Sequence, residues 1–274
     1  LIPYIIVSPA YRNNSAGVRA LFLLCDALNK SGQEAFMLSG DGQPHKLHAP
    51  DLSCDPFRVK TMIEFGAIVV YPDVFPLNIL KSSRPVQWNL GMQRGKFIPV
   101  QFWFNPRFPG ADDKILCLDL IEHDLFNRWD LPERTINTLY SGKALLVKGS
   151  RLDLPDLPEC IEITPSFPAD RASLATLLKM SKVLYTLDPM SSITSEARLC
   201  GCPVVYIPNR AGEIYKPEYD ISFNGMALGL EDLGRARASL PAFEADYFYE
   251  HARSGEMLRS FISFTQSMKP LQLL

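Results

Sequence analysis

The 274-residue sequence predicts an α/β protein made of two halves, each built on an open parallel sheet. Three observations carry that expectation. Short apolar runs alternate with helical or loop segments along most of the chain, as in strand–crossover–strand units. The alternation lapses over residues 127–134, where Trp129-Asp130-Leu131-Pro132 interrupts it, and then restarts. No apolar run approaches the roughly 20 residues that a membrane-spanning helix needs. The expected domains are therefore residues 1–130 and 131–274.

Composition narrows the function classes. Hydrophobic residues make up 47% of the chain and charged ones 21%, which suits a globular protein with ample core. The net charge of −2 leaves no general basic footprint, so no nucleic-acid partner is expected. The chain opens on Leu1 with no signal-peptide pattern, which suits a piece of a longer protein and a cytoplasmic location. Six cysteines lie mostly inside apolar segments and are expected to be reduced core thiols. Cys200-Gly201-Cys202 lacks a second Cys/His pair nearby, so no zinc site is expected.

In the first half, residues 3–7 read as a buried strand, followed by the small-residue loop Ser8 to Gly17. An apolar-periodic helix follows over residues 18–30, with Ala20, Leu21, Leu24, Cys25 and Leu28 on one face, stopped by Ser31-Gly32. Residues 34–38 form the next strand. The intervening loop is not G-x-G-x-x-G, so no bound dinucleotide is indicated. Further strands are expected at residues 65–71, 85–89, 99–104 and 114–118. Phe102, Trp103 and Phe104 are either a sugar-stacking platform or, more commonly for such a cluster, core.

The second half should place strands at residues 135–140, 144–147, 160–164, 183–187 and 204–207. A helix over residues 170–180 is N-capped by Asp170, with Leu174, Leu177 and Leu178 as its apolar stripe. Its centre is the stretch 181–208, SKVLYTLDPMSSITSEARLCGCPVVYIP. A strand runs to Leu187, a turn covers Asp188-Pro189-Met190-Ser191-Ser192, and a short helix over 193–200 is stopped by Gly201. Pro203 then opens the next strand, where no ladder donor is needed. Asp188 thus sits at a strand's carboxyl end, where open parallel sheets bind ligands. Backbone N–H groups at Ser191, Ser192, Ile193 and Thr194 offer an anion site at a helix start. Glu196, eight residues after Asp188, lies about one turn into that helix.

This stretch resembles the nucleotide-sugar signature of retaining GT-B glycosyltransferases, particularly the family-4-like group. Their signature is two acids spaced E-x7-E, then a small-residue turn and Pro-Val-Val. Asp188 stands for the first acid and Glu196 for the second; Ala197, Gly201, Pro203, Val204 and Val205 follow the pattern. Asp at 188 departs from the expected Glu and has a shorter arm. The resemblance implies a GT-B fold, two Rossmann-like domains whose parallel sheets face a central cleft. It implies transfer of a sugar from a nucleotide-sugar donor to a glycan or lipid-linked acceptor, with retention and without a metal or other cofactor. Asp112-Asp113 does not make a D-x-D site, in keeping with that. By the same resemblance Asp188 touches the transferred sugar and Glu196 a donor hydroxyl. Lys143 neutralises the departing diphosphate, with Lys148 as the fallback, and Ser166 and Phe167 contact the base. Asn14, Ser15 and Gly17 line the cleft, unless that loop is simply a tight turn. C-terminal helices around residues 242–264 are expected to cross back to the first domain. Peripheral membrane association and other domains of a longer chain stay open. Two alternatives also stay open: a nucleotide-sugar epimerase, for which His123 beside Glu122 is the suggestive pair, and a catalytically idle interaction domain.

Overall fold

The computed structural model describes residues 1–40, 46–75, 77–91, 97–108, 110–146, 155–210 and 219–272. By internal contacts the chain forms two units, Leu1–Leu120 with His251–Leu274, and Ile121–Glu250. The division thus falls at 120/121, where the sequence had suggested 130/131, and the last segment belongs to the first unit.

The first unit carries β1 (Tyr4–Val7), β2 (Ala35–Leu38), β3 (Ile68–Pro72), β4 (Arg84–Asn89) and β5 (Gln101–Trp103). They form a parallel sheet in the order β2-β1-β3-β4-β5. β1 reads as an unbroken apolar run because it is central and buried on both faces. Helix α1 (Ala16–Lys30) is capped by Ser15, whose hydroxyl accepts from the Val18 amide at 3.4 Å. Helix α2 (Pro56–Glu64) was not expected from the sequence, although Asp55 caps it and Pro56 opens it. Residues 114–118 do not form the expected strand. They make only an isolated bridge, with Trp103 donating to Lys114 O (2.9 Å) and Leu116 donating to Trp103 O (2.8 Å). Phe102 is buried in the core with Val86, Trp88 and Leu116, and Trp103 is buried as well, so the stacking-platform alternative fails for both.

The C-terminal helix α6 (Ser254–Gln266) belongs to this unit because its apolar face completes the core there. Phe261 is fully buried against Tyr4 and Phe102, and Gln266 brackets Ile2 by accepting from its N–H and donating to its C=O.

The second unit carries β6 (Ile136–Tyr140), β7 (Ile161–Ile163), β8 (Ser181–Thr186), β9 (Val204–Tyr206) and β10 (Met226–Leu228), in the parallel order β10-β9-β8-β6-β7. β10 is three residues long and was not anticipated. Residues 144–146 were expected to open a strand; they lie instead in a 3-10 turn, Gly142–Leu146, which carries the chain away from β6. Helices α3 (Arg171–Met180), α4 (Ser192–Leu199) and α5 (Leu233–His251) complete the unit. Arg134 caps two of them at once. It donates to Leu178 O (3.4 Å) and Ser181 O (2.6 Å) at the end of α3, and to Cys200 O (2.8 Å) at the end of α4. A cation there complements both helix dipoles.

The thiols correct a composition argument. All six cysteines are free, but only Cys25, Cys117, Cys200 and Cys202 are buried; Cys54 is exposed and Cys160 half-buried. No helix among the described residues is long and apolar enough to cross a membrane.

Candidate functional site

In the second sheet the chain leaves β6 in one direction to reach β7 and later returns on the other side with β8. The carboxyl ends of β6 and β8 therefore flank a topological switch point, where connections diverge and leave a crevice. From β6 come Tyr140, Ser141 and Gly142; from β8 come Thr186, Leu187 and Asp188; α4 starts four residues further on at Ser192.

The turn between β8 and α4 is built from its own side chains. Thr186 Oγ1 accepts from the Asp188 amide and donates to the Asp188 carbonyl, both at 3.0 Å. Asp188 Oδ1 accepts from the Met190 amide at 3.1 Å. Asp188 is fully buried. Gly142 lies over it: a β-carbon there would stand 2.6 Å from Asp188 Oδ2 and 2.6 Å from Tyr140 Cε1. Gly142 also has φ +50, which an L side chain rarely adopts.

Ser191 occupies the N-cap position of α4, but its hydroxyl makes no capping bond. It points to Tyr140 Oη at 3.4 Å instead. Thr194 donates its amide and its hydroxyl to the Ser191 carbonyl, at 3.1 and 2.9 Å. Ser192 is half-buried and Ile193 buried. Burial pushes the Tyr140 phenol above its ordinary pKa; the Ser191 hydrogen bond opposes this, while the charges of Asp188 and Glu196 add to it. Tyr140 thus stands within electrostatic reach of both acids of the signature.

Glu196 is buried and already engaged. Arg171, the first residue of α3, donates from Nη2 to Glu196 Oε1 at 2.8 Å and from Nε to Glu122 Oε2 at 3.0 Å. Its guanidinium carbon lies 4.3 Å from the Phe126 ring centroid. Burial alone would lower the Arg171 pKa, but Glu196 and then Glu122 more than offset it, and the net shift is upward. The sequence argument did not single out Arg171. The signal was there: a cation in the first turn of a helix opposes the helix dipole and needs a compensating partner.

Two turns of α4 also hold Arg198, whose role is different. It binds Asp220 through two bonds of 2.8 and 2.7 Å, donates to the carbonyls of Thr194, Ser222 and Asn224, and stacks 3.8 Å from the Phe243 centroid. That guanidinium is absorbed in holding the unit together.

The other expected site residues belong to separate segments of the chain. Ser166 is exposed and Phe167 about half-exposed in the turn after β7, closed by an antiparallel bridge between Thr164 and Phe167. Lys143 falls in the 3-10 turn after β6, with its side chain outside the described residues; Lys148 lies outside them altogether. In the first unit Asn14 is exposed, Ser15 is spent as the cap of α1, and Gly17 sits inside α1 rather than in the loop. A β-carbon at Gly17 would meet only Leu90 at an ordinary 3.8 Å, so packing does not require glycine there. Among the described residues no group of three or more His, Cys, Asp or Glu side chains is placed to hold a metal ion.

No family model matches the sequence. No curated protein matches it either. Among solved structures the chain is similar to a glycosyltransferase from Rickettsia africae ESF-5, at TM-score 0.57 and 12% identity over 96% of this chain and 97% of that one. AviGT4, a glycosyltransferase involved in avilamycin A biosynthesis, gives TM-score 0.57 and 13% identity over 97% of each chain. Sucrose-phosphate synthase from Thermosynechococcus elongatus gives 0.51 and 10% identity over 98% and 97%. At such identities the likeness is one of fold. The chain has the GT-B architecture, two Rossmann-like units each on a five-stranded parallel sheet.

Proposed function

We propose that the chain is a glycosyltransferase that takes a sugar from a nucleotide-sugar donor bound at the carboxyl edge of the second sheet. One observation carries this: Tyr140, Gly142, Asp188 and the amino end of α4 converge at the switch point between β6 and β8. The donor diphosphate is assigned to the start of α4, where oriented N–H dipoles favour negative charge. Glu196 is assigned to a hydroxyl of the donor nucleoside, Ser166 and Phe167 to the base, and Lys143 or Lys148 to the departing diphosphate. Fixed dipoles and one cation stabilise that leaving group where charge develops, so the chemistry needs no metal. Retention and a glycan or lipid-linked acceptor rest on the spacing of Asp188 and Glu196 and its resemblance to the retaining signature.

The decisive experiment presents UDP, GDP, ADP and dTDP to the protein by thermal shift and calorimetry, followed by turnover of the matching nucleotide sugars. Binding of one of them at 100 times its dissociation constant should stabilise the protein by about 2.7 kcal/mol. Asp188→Asn, which keeps an acceptor for the Met190 amide, should retain the nucleoside diphosphate and lose transfer. Absence of any shift with all four ligands would overturn the proposal.

One observation favours a second reading, an idle domain on the same fold. Both acids already have intramolecular duties, Asp188 under Gly142 and Glu196 on Arg171. That domain would bind a nucleoside diphosphate or nothing, and turn over no donor. Nothing comparable favours an epimerase, since Glu122 is taken by Arg171 and His123 packs on the rings of Tyr247 and Phe248.

A further inference from the structure

We infer that the Tyr140 hydroxyl donates a hydrogen bond to the diphosphate of the nucleotide-sugar donor; this rests on the donor site proposed above. Tyr140 ends β6 on one side of the switch point, and its phenol reaches the N-cap of α4, which follows β8 on the other. Its carbonyl accepts from the Leu187 amide at 3.1 Å, which ties the residue to the end of β8. Its ring is confined by Gly142, where a β-carbon would stand 2.6 Å from Cε1. Tyr140 and Ser191 are both half-buried, so the pair borders solvent rather than lying sealed in the core.

A phenol can donate one hydrogen bond while accepting another. In Tyr140 the accepting role is filled, because Ser191 donates to Oη at 3.4 Å. The donating role is open: among the described residues no group accepts the phenolic proton. Tyr71 in the first sheet shows the closed alternative. Its hydroxyl accepts from the Leu80 amide and donates to Asn78 Oδ1, both at 3.1 Å. Ser191, for its part, spends its hydroxyl on Tyr140 and leaves the first turn of α4 without a side-chain cap. The phenolic proton and the start of α4 are therefore donors at one place, and the group that satisfies donors of both kinds is an anion.

The surrounding charges keep this donor intact. Burial raises the phenol above its ordinary pKa of 10.0, the Ser191 bond opposes the rise, and the charges of Asp188 and Glu196 add to it. The hydroxyl thus keeps its proton throughout the neutral range. A phenolate in the same position would repel a diphosphate, whereas the neutral phenol can face one and donate to it. A hydrogen bond to a charged acceptor is stronger than one between neutral groups, so the diphosphate gains more from the phenol than a sugar or ribose hydroxyl would.

The test measures dissociation constants by calorimetry for UDP, GDP, ADP and dTDP and for the corresponding nucleosides. The proteins are wild type and Tyr140→Phe, each checked for folding by its melting transition. Phenylalanine keeps the ring beneath Gly142 and removes only the hydroxyl. With the diphosphate that wild type binds, Tyr140→Phe should be weaker by roughly tenfold to a hundredfold, the worth of a hydrogen bond to a charged group. The matching nucleoside should bind both proteins equally. Fluorotyrosine placed at position 140 carries the test if the phenylalanine variant does not fold. Its fluorine NMR signal should shift with the nucleoside diphosphate and stay in place with the nucleoside. Equal affinity of wild type and Tyr140→Phe for the diphosphate, or a fluorine signal that the diphosphate does not move, would overturn the inference. A parallel loss for nucleoside and diphosphate would overturn it as well, since the hydroxyl would then act at the nucleoside or in packing. Wild type that binds none of the four diphosphates would fail in a different way, by removing the donor site and the inference with it.

Discussion

Gly142 shows how one residue without a side chain can set a site. Its left-handed backbone and the space it leaves for Asp188 and Tyr140 are separate requirements met by the same residue. An alanine there would incur about 1–2 kcal/mol of backbone strain. Crowding would add roughly 1–3 kcal/mol, because the added β-carbon would also stand 2.7 Å from Asp188 Cβ and 2.6 Å from the Tyr140 ring, neither of which is a flexible side-chain tip. Gly142→Ala is therefore expected to lower Tm by roughly 5–10 °C in calorimetry. Any nucleotide binding at the switch point should weaken with it. An unchanged Tm would mean that the turn relaxes freely and that Asp188 is not pinned by it. The fragment Ser141-Gly142-Lys143 drew attention in the sequence for its lysine, whereas the packing makes the glycine the residue that shapes the turn.

Among the elements, α6 has the clearest energetic role. It lies at the far end of the sequence from β1, yet Phe261 fills the core between Tyr4 and Phe102, and Thr265 Oγ1 meets Tyr4 Oη at 2.7 Å. Phe261→Ala removes a fully buried ring and should cost about 3–5 kcal/mol. The loss belongs to the first unit. Amide exchange should accelerate in β1, β3, β4 and β5, while β8 and β9 keep their protection, as seen by hydrogen-exchange mass spectrometry. Equal acceleration in both sheets would show that the two units unfold as one. The helix itself was legible as an apolar-periodic tail, and its return to the first domain was implied only by the resemblance.

At the scale of the whole molecule, buried titratable groups shape the response to alkali. Burial pushes the thiols of Cys25, Cys200 and Cys202 from 9.0 up to about 12, and the Tyr71 phenol from 10.0 up to about 12. The folded protein therefore keeps protons that the unfolded chain gives up. This contribution is fully present below about pH 9, the ordinary thiol value, and is lost as pH rises toward 12. Tm should accordingly be insensitive to these groups at neutral pH and fall progressively above pH 9. A titration with a thiol reagent at pH 8 provides the companion measurement. Cys54 should react at once, and Cys25, Cys117, Cys200 and Cys202 only on unfolding. Rapid reaction of the buried thiols in the native protein would contradict the packing.

What the sequence determined alone is local in origin. Apolar runs alternating with polar stretches marked β1 to β9, most plainly β1 and β3, whose residues are buried throughout, while β4 also buries the polar Gln87 and Asn89. A capping residue marked the start of α3, since Asp170 satisfies an amide that the helix cannot; Ser15, which caps α1 in the same way, had been expected in a loop lining the cleft. Positions 188 and 196 stood out by spacing before any packing was known. Tertiary structure alone decided the rest. Only pairing in space makes the three residues of β10 a strand, and only the strand order makes the ends of β6 and β8 a switch point. The partners of Glu196, 25 residues away at Arg171 and through it Glu122, are set by the packing of α3 and α4, which no periodicity encodes. Charge compensation in a buried site depends on which chains are brought together, and sequence neighbours do not reveal it.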